Sequence, residues 1–387
     1  MTLKKIGLIG LKHMGCEHYS NLIELAEEKK LIIGALCDND EECLRIPSIE
    51  NSLPQINLLL KDRKNISQTE LLNLLHQKMQ IVCKDKKPEV YFDYKQMINE
   101  ADLDGVLIVT PNHLHRKMAV YALEKGVNVL CEKPFAPTLE DCDAIIEAEK
   151  KSSAFLEIGL HYRYRKLSHF VKEAIDSKKI GDLKMMWVQE FRGDWNPNGT
   201  VVEDCKGVSD NWRYLQNASG GSILEKMCHD LDVFSWWAGA KPVKVGGTGG
   251  NAVFKDRETI DHADYFVEYE NGVKLNLSLC MFAPNKRFKG RYMGIIGDKG
   301  ILDFDSHEGG CEIYYHDGRT EHVNGIDPET LPGHHAGNGT MLELLDFINC
   351  MEKEKKPSAN AEIGKASVRL CLAAQQAIEE EKIIKLS

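Results

Sequence analysis

The sequence predicts two linked domains of different class. The first is an α/β domain built on a doubly wound parallel sheet; the second is an α+β domain with a large, mainly antiparallel open sheet. Three observations predict this. The chain has 387 residues, more than one ordinary core organises and suited to two. Its first part alternates short apolar runs with helical stretches, the rhythm of β-α-β units. Beyond about residue 160 come longer alternating stretches such as "KMMWVQEF", "ADYFVEYENGVKLNLSLCMF" and "RYMGIIGDKGILDFD".

In chain order, Ile6 to Ile9 is a short apolar run and reads as a buried strand. A glycine turn at Gly10 and Gly15 follows, then a helix to about Lys30, then a strand from Leu31 to Cys37 that ends on Asp38. Residues from about Arg45 to Lys87 break the rhythm and read as one or two inserted amphipathic helices. A connection of that length carries its own structure, and either covers the adenosine end of a ligand or forms a subunit contact. The rhythm resumes with a strand from Gly105 to Thr110, a helix from His115 to Lys125 and a strand from Val127 to Cys131. Thr138, with Asp141 three residues on, forms a capping-box signal for a helix to about Lys151, and Phe155 to Leu160 is another strand. The first domain is therefore placed at 1–135, with its inserted helical segment at about 45–87, and the second at 136–387. In that second domain Asn271-Gly272 marks a hairpin turn. Only the final two helices there read as long, about Thr340 to Glu354 and Ile363 to Glu381.

Composition excludes several classes of function. At 43% hydrophobic and 28% charged, the chain has the balance of a soluble globular protein. A formal net charge of −10 argues against nucleic acid, because phosphate binding needs a basic surface. No apolar run approaches the roughly 20 residues that span a bilayer, and the start, Met1-Thr2-Leu3-Lys4-Lys5, lacks the apolar stretch of a signal peptide. The 12 cysteines are scattered and form no CxxC pair, so they read as buried thiols in a reducing cytoplasm.

Between first strand and first helix, a dinucleotide-binding fold places G-x-G-x-x-G, so that backbone can approach a pyrophosphate at a helix N-terminus. The matching stretch here is Gly10-Leu11-Lys12-His13-Met14-Gly15, with Lys12 in place of the middle glycine. The Lys12 side chain has either to point away from the phosphates or to reach over and help neutralise them. Asp38 ends the second strand 23 residues after Gly15, where a carboxylate accepts hydrogen bonds from adenosine ribose hydroxyls. It would repel a 2′-phosphate, which selects NAD over NADP. The competing reading makes the glycines a tight turn and Asp38 a surface acid.

Two further stretches carry a family resemblance. "CEKPF" (131–135) ends an apolar strand on Glu132, Lys133 and Pro134, and "VTPNHLH" spans 109–115. With "GLHYRY" (159–164), "GGSILEKMCHDLD" (220–232) and "GHHAGNG" (333–339), the chain resembles the glucose–fructose oxidoreductase and inositol dehydrogenase family (Gfo/Idh/MocA) over nearly its whole length. The resemblance implies an NAD-binding Rossmann domain whose cofactor is lined by Thr110, Pro111, Asn112, His115 and Glu132. It places Lys133 beside the nicotinamide and the substrate hydroxyl. At the carboxyl edge of a parallel sheet a strand end faces the ligand crevice, which explains a lysine there, and proline is tolerated because the ladder has ended. Beside a positive ring, like charge and desolvation make a lysine release its proton more easily.

Glu225 and His229 lie four apart and share one helix face. The family's usual residue at the first of these positions is aspartate, with the histidine as acid–base; glutamate here is one methylene longer. Ser222-x-x-Glu225 also reads as a capping box, which would leave Glu225 binding its own helix terminus. Asp232 either orients the His229 imidazole or is a plain polar helix position. His161 stands where the family has asparagine, and Arg163 is kept. His161, Arg163, Trp212, Arg213 and His334 are the implied substrate or nicotinamide contacts, with a structural role as the alternative for each. Trp187, Trp195 and Trp212 suit either stacking on a sugar face or core packing. No local spacing among the histidines requires a metal, and none is expected.

The chemistry implied is hydride transfer from a hydroxyl-bearing carbon of a sugar, polyol or glycoside. His229 takes the proton, Lys133 stabilises the developing alkoxide and Glu225 tunes the pair. Two rivals remain: a glycosidase that oxidises, eliminates and re-reduces with no net cofactor turnover, and a non-catalytic NAD-responsive regulator. The alternating sheet of the second domain implies a homodimer or homotetramer.

Overall fold

The computed structural model describes residues 2–61, 66–193, 212–284, 291–305, 309–326 and 338–386. The chain forms two compact units. The first comprises Met1–Ala136, Glu140–Gly159 and Thr330–Glu362; the second comprises Pro137–Leu139, Leu160–Glu329 and Ile363–Ser387.

The first unit runs β1 (Lys4–Ile9), α1 (Met14–Glu27), β2 (Leu31–Cys37), α2 (Glu41–Leu44), α3 (Leu53–Leu60), α4 (Gln68–Val82), β3 (Glu89–Tyr91), α5 (Tyr94–Glu100), β4 (Gly105–Ile108), α6 (His115–Glu124), β5 (Asn128–Glu132), α7 (Leu139–Lys151) and β6 (Leu156–Gly159). The six strands pair in parallel in the order β3-β2-β1-β4-β5-β6. Their cores are continuous apolar runs because helices cover both faces; Ile6, Leu8, Leu36, Val106, Leu107, Val129 and Leu130 are all fully buried. Each such side chain contributes about 1.5–3 kcal/mol. The interrupting segment holds α3 and α4. Gln55 accepts from the Ser52 N–H at 2.9 Å at the start of α3, and Ser67 caps α4 through the Glu70 N–H at 3.2 Å. The insertion joins the same core: Leu72, Leu75 and Met79 of α4 pack with Tyr19 and Leu22 of α1.

The second unit opens with α8 (Lys166–Asp176), β7 (Leu183–Phe191), α9 (Gln216–Ser219) and α10 (Ser222–Ala238). It continues through β8 (Pro242–Gly250), β9 (His262–Tyr269), β10 (Lys274–Cys280), β11 (Arg291–Gly297), β12 (Gly300–Asp305), β13 (Cys311–Tyr315) and β14 (Thr320–Val323). After these come α11 (Gly339–Lys353), α12 (Ala361–Glu379) and β15 (Ile384–Lys385). The nine-stranded sheet has the order β14-β13-β12-β11-β7-β10-β9-β8-β15. Its pairs are antiparallel except β7 with β10, so the large sheet is mostly antiparallel and mixed at one place. β9 and β10 meet at the Asn271-Gly272 turn, where Gly272 takes φ 83°.

α11 belongs to the first unit, where Phe347 meets Phe155 edge-on at 5.6 Å. One sequence expectation needs correction here. The last two helices are not the only long ones of the second half, because α10 spans 17 residues. Nearly all of α10 is buried, so it lacks the one-sided apolar stripe by which an amphipathic helix announces itself.

Candidate active site

In the first unit the candidate cofactor residues sit on loops at the carboxyl ends of β1, β2, β4 and β5. β1 and β4 are neighbours in space, and from them the sheet grows outward in opposite directions; such a switch point opens a crevice for a ligand. Gly10 follows β1 with φ 92°, and a Cβ there would lie 2.4 Å from the Val109 carbonyl oxygen. A Cβ on Gly15 would lie 2.3 Å from the Gly10 carbonyl oxygen. Both positions therefore demand glycine, and they form a cradle that any side chain would fill, as a pyrophosphate-binding turn requires. No side chain caps α1, whose N-terminus starts at Met14, and His13 before it takes a positive φ of 43°.

Lys12 turns aside to Asp40, with Nζ 2.6 Å from the carboxylate and the side chain 55% exposed. That hydrogen bond raises the Lys12 ammonium above its ordinary value and lowers Asp40 below its own. Asp38 is buried at the end of β2 and accepts from the Leu11 N–H at 2.8 Å and the Asp40 N–H at 3.0 Å. It thus ties the glycine turn to the second strand.

After β4, Thr110 and Pro111 lead into a short 3-10 turn, Asn112–Leu114, with Asn112 buried. His115 is fully buried, its Nδ1 3.0 Å from the Pro134 carbonyl oxygen and its Nε2 3.0 Å from that of Thr110. It joins the loop after β4 to the loop after β5. Burial lowers its pKa more than the carbonyl contacts and the Glu132 charge raise it. β5 ends at Glu132, and the Lys133–Pro134 peptide that follows is cis. Glu132 is buried, bonded through Oε1 to His18 Nε2 at 2.8 Å, while Oε2 accepts the Lys133 N–H at 2.9 Å. Burial works to raise this carboxyl. The His18 bond, the charges of His18 and Lys133 and the Lys133 N–H outweigh it and hold Glu132 below its usual value.

In the second unit, Gly220 and Gly221, with φ 82° and 95°, launch α10. The N-cap is Gly221, which has no side chain, and the Ser222 hydroxyl donates instead to the Ile260 carbonyl at 2.5 Å. The capping box read from the sequence therefore does not form. Glu225 is buried, with Oε1 3.9 Å from Arg213 Nε, and the Arg213 guanidinium lies 4.4 Å over the Trp212 ring. These three predicted residues are brought together.

His229 stacks on Tyr162 at 4.7 Å and 19°, with His161 edge-on at 4.3 Å. The Tyr162 hydroxyl accepts from Arg291 Nη1 at 2.5 Å. Arg291 is itself buried, 2.6 Å from Glu190 and 3.6 Å from Asp230. Burial opposes the Arg291 charge, but Asp230 and Glu190 more than offset it and keep the guanidinium ionised. Asp232 does not orient the imidazole: its carboxylate takes both Nε, at 3.1 Å, and Nη2 of Arg163. Arg163 lies over Trp236 at 5.2 Å. Trp187 lies beside Tyr292 on the sheet at 6.2 Å. His334 and Trp195 lie outside the described residues.

Sequence reasoning missed His18, Tyr162 and Arg291. A faint signal existed for two of them: a polar run, "CEHYSN", within a buried helix, and a lone arginine opening the apolar strand "RYMGIIG". No helix among the described residues is long and apolar enough to cross a membrane.

Comparison with known proteins gives the family. Residues 52–160 match the Gfo/Idh/MocA family domain described as "Oxidoreductase family, NAD-binding Rossmann fold". Residues 172–386 match "Oxidoreductase family, C-terminal alpha/beta domain" of the same family. Among curated relatives, a 2,7-anhydro-N-acetylneuraminate hydratase of Mediterraneibacter gnavus is 25% identical over 63% of this chain and 62% of its own. An inositol 2-dehydrogenase of Salmonella paratyphi B is 33% identical over 38% of each chain. The chain thus spans less than two thirds of the length of these relatives. An oxidoreductase domain protein from Kribbella flavida shares the fold, with a TM-score of 0.77 and 19% identity over 100% of both chains.

Proposed function

This chain belongs to the Gfo/Idh/MocA oxidoreductase family, and we propose that it oxidises a secondary hydroxyl of a sugar, polyol or glycoside with NAD, or reduces the corresponding ketone. The observation that carries the reading is the set of loops after β1, β2, β4 and β5. They gather a side-chain-free cradle at Gly10 and Gly15, a buried carboxylate at Asp38, and Lys133 next to a fixed Glu132. These residues fit a dinucleotide, with Leu11 to Met14 completing the turn at the pyrophosphate and Thr110, Pro111, Asn112 and His115 shaping the nicotinamide end. When bound, the nicotinamide supplies the hydride acceptor.

The protein's part is to move the proton and hold the charge. His229, held against the Tyr162 face, takes the hydroxyl proton; Lys133 stabilises the alkoxide; Glu225, beside Arg213, sets the charge around the imidazole. His161, Arg163, Trp212, Arg213 and His334 contact the substrate. Asp38 favours NAD over NADP by repelling a 2′-phosphate. Every described cysteine is a free thiol, which supports a cytoplasmic location.

Purified protein incubated with NAD or NADP and a panel of inositols, sugars and glycosides should develop reduced-nicotinamide absorbance with NAD. No absorbance and no saturable NAD binding would overturn the reading. Similarity to a relative named as a hydratase, a reaction class without net redox change, favours a second reading: transient oxidation, elimination and re-reduction. Released aglycone without accumulated NADH selects it.

A further inference from the structure

A buried cluster in the first unit is rich in acceptors and short of donors. Glu343 of α11 is 0% exposed, and neither of its carboxyl oxygens has a hydrogen-bond partner among the described residues. Glu17 and His18 of α1, Glu132 of β5 and Glu157 of β6 surround it, all buried. Ligand-capable atoms of His18, Glu132 and Glu343 lie within 4.8 Å of one another.

Four donors are accounted for. His18 Nε2 and the Lys133 N–H serve Glu132, the Thr340 hydroxyl serves Glu17, and Asn21 Nδ2 serves Thr340. Both oxygens of Glu343 and Asn21 Oδ1 are left over among the described residues, and each of them is an acceptor. An ionised carboxylate in such surroundings takes up a proton or a cation.

We propose that Glu343 is carried in the folded protein as the neutral acid. A cation held at this cluster would compete for His18 Nε2 and the Glu132 oxygens, which already bond each other; a proton on Glu343 leaves those bonds in place. The electrostatics agree. Burial, then the charges of Glu132, Glu157 and Glu17, push the Glu343 carboxyl well above the usual carboxylate range. Glu132, under the same burial, is held low by His18 and Lys133. The remaining charges nearby on α11, Asp346 and its partner Lys355 at 2.8 Å, already satisfy each other. The inference is independent of the proposed reaction.

The test compares wild type, Glu343→Gln and Glu343→Ala in thermal unfolding from about pH 5 to about pH 8, alongside infrared spectra. Unfolded Glu343 releases its proton above its ordinary pKa of about 4.3, whereas folded Glu343 keeps it. Wild-type stability from this group is therefore full at low pH and is lost as pH rises toward the folded value. Glu343→Gln, permanently neutral and able to donate, lacks that loss, so its Tm should gain on wild type as pH rises, whereas Glu343→Ala should lie below Glu343→Gln throughout. The wild type should show the carbonyl band of a neutral carboxylic acid at about pH 7, absent from Glu343→Gln. A Tm difference that does not change with pH overturns the proposal. So does stoichiometric metal in the wild type that Glu343→Gln loses. Should the variants not fold, the infrared spectrum of the wild type decides alone, and absence of the neutral-acid band refutes it.

Discussion

Lys133 lies one residue beyond the last strand pairing of β5, and its own N–H is spent on Glu132. The root of its side chain is thus held by the strand end. Replacing Lys133 by Ala is expected to lower kcat by about 10²–10⁴-fold while NAD affinity changes only a few-fold. His229→Ala should show a loss of the same order. Stopped-flow kinetics with NAD-binding fluorescence would check both, and unchanged turnover in either variant would remove that residue from the chemistry. Gly10, Gly15 and Asp38 were legible in the sequence because strand ends and backbone geometry dictate them locally. His18 was not legible: its significance lies in Glu132, 114 residues away, and no local rule couples the two. Tyr162 and Arg291 are hidden for the same reason, being 129 residues apart. The capping-box reading of Glu225 failed on a single residue, since Gly221 and not Ser222 holds the cap position.

The elements of the second unit depend on tethers as much as on strand pairing. Between β8 and β9 the chain is gathered by Asp261, whose carboxylate accepts the N–H groups of Ala252 at 2.9 Å, Val253 at 2.7 Å and Phe254 at 2.7 Å. His262 Nδ1 adds a fourth bond at 2.9 Å. Burial works to raise this carboxyl, but the His262 bond and the three backbone donors prevail and hold it below its usual value. A depressed folded pKa means that the stabilisation is present above the unfolded value of about 3.9 and lost as pH falls through the folded one. Asp261→Asn should cost about 1–3 kcal/mol at neutral pH and flatten the acid limb of the Tm-against-pH curve. An acid limb as steep as that of the wild type would contradict the assignment. The strands were legible because alternation marks a half-buried sheet. α10 as a long helix was not, because a helix buried all round carries no periodic signal.

At the scale of the molecule, the broad sheet of the second unit turns Met185 and Tyr292 outward, 40% and 43% exposed, with Trp187 and Ile296 on the same rows. We expect a second copy to cover this face. Sedimentation equilibrium should give a dimer or tetramer, and a single-chain mass of 43.7 kDa would refute it. The sequence by itself determined the strand and helix rhythm, the parallel and mainly antiparallel sheets and the glycine turn, because each follows from hydrophobic period and backbone sterics between near neighbours. Only the tertiary structure decided that α11 returns to the first unit. It alone set Asp232 against Arg163 and not the imidazole, and enclosed a carboxyl at Glu343 that meets no donor among the described residues. Those outcomes rest on burial and on partners far along the chain, which a linear pattern does not encode.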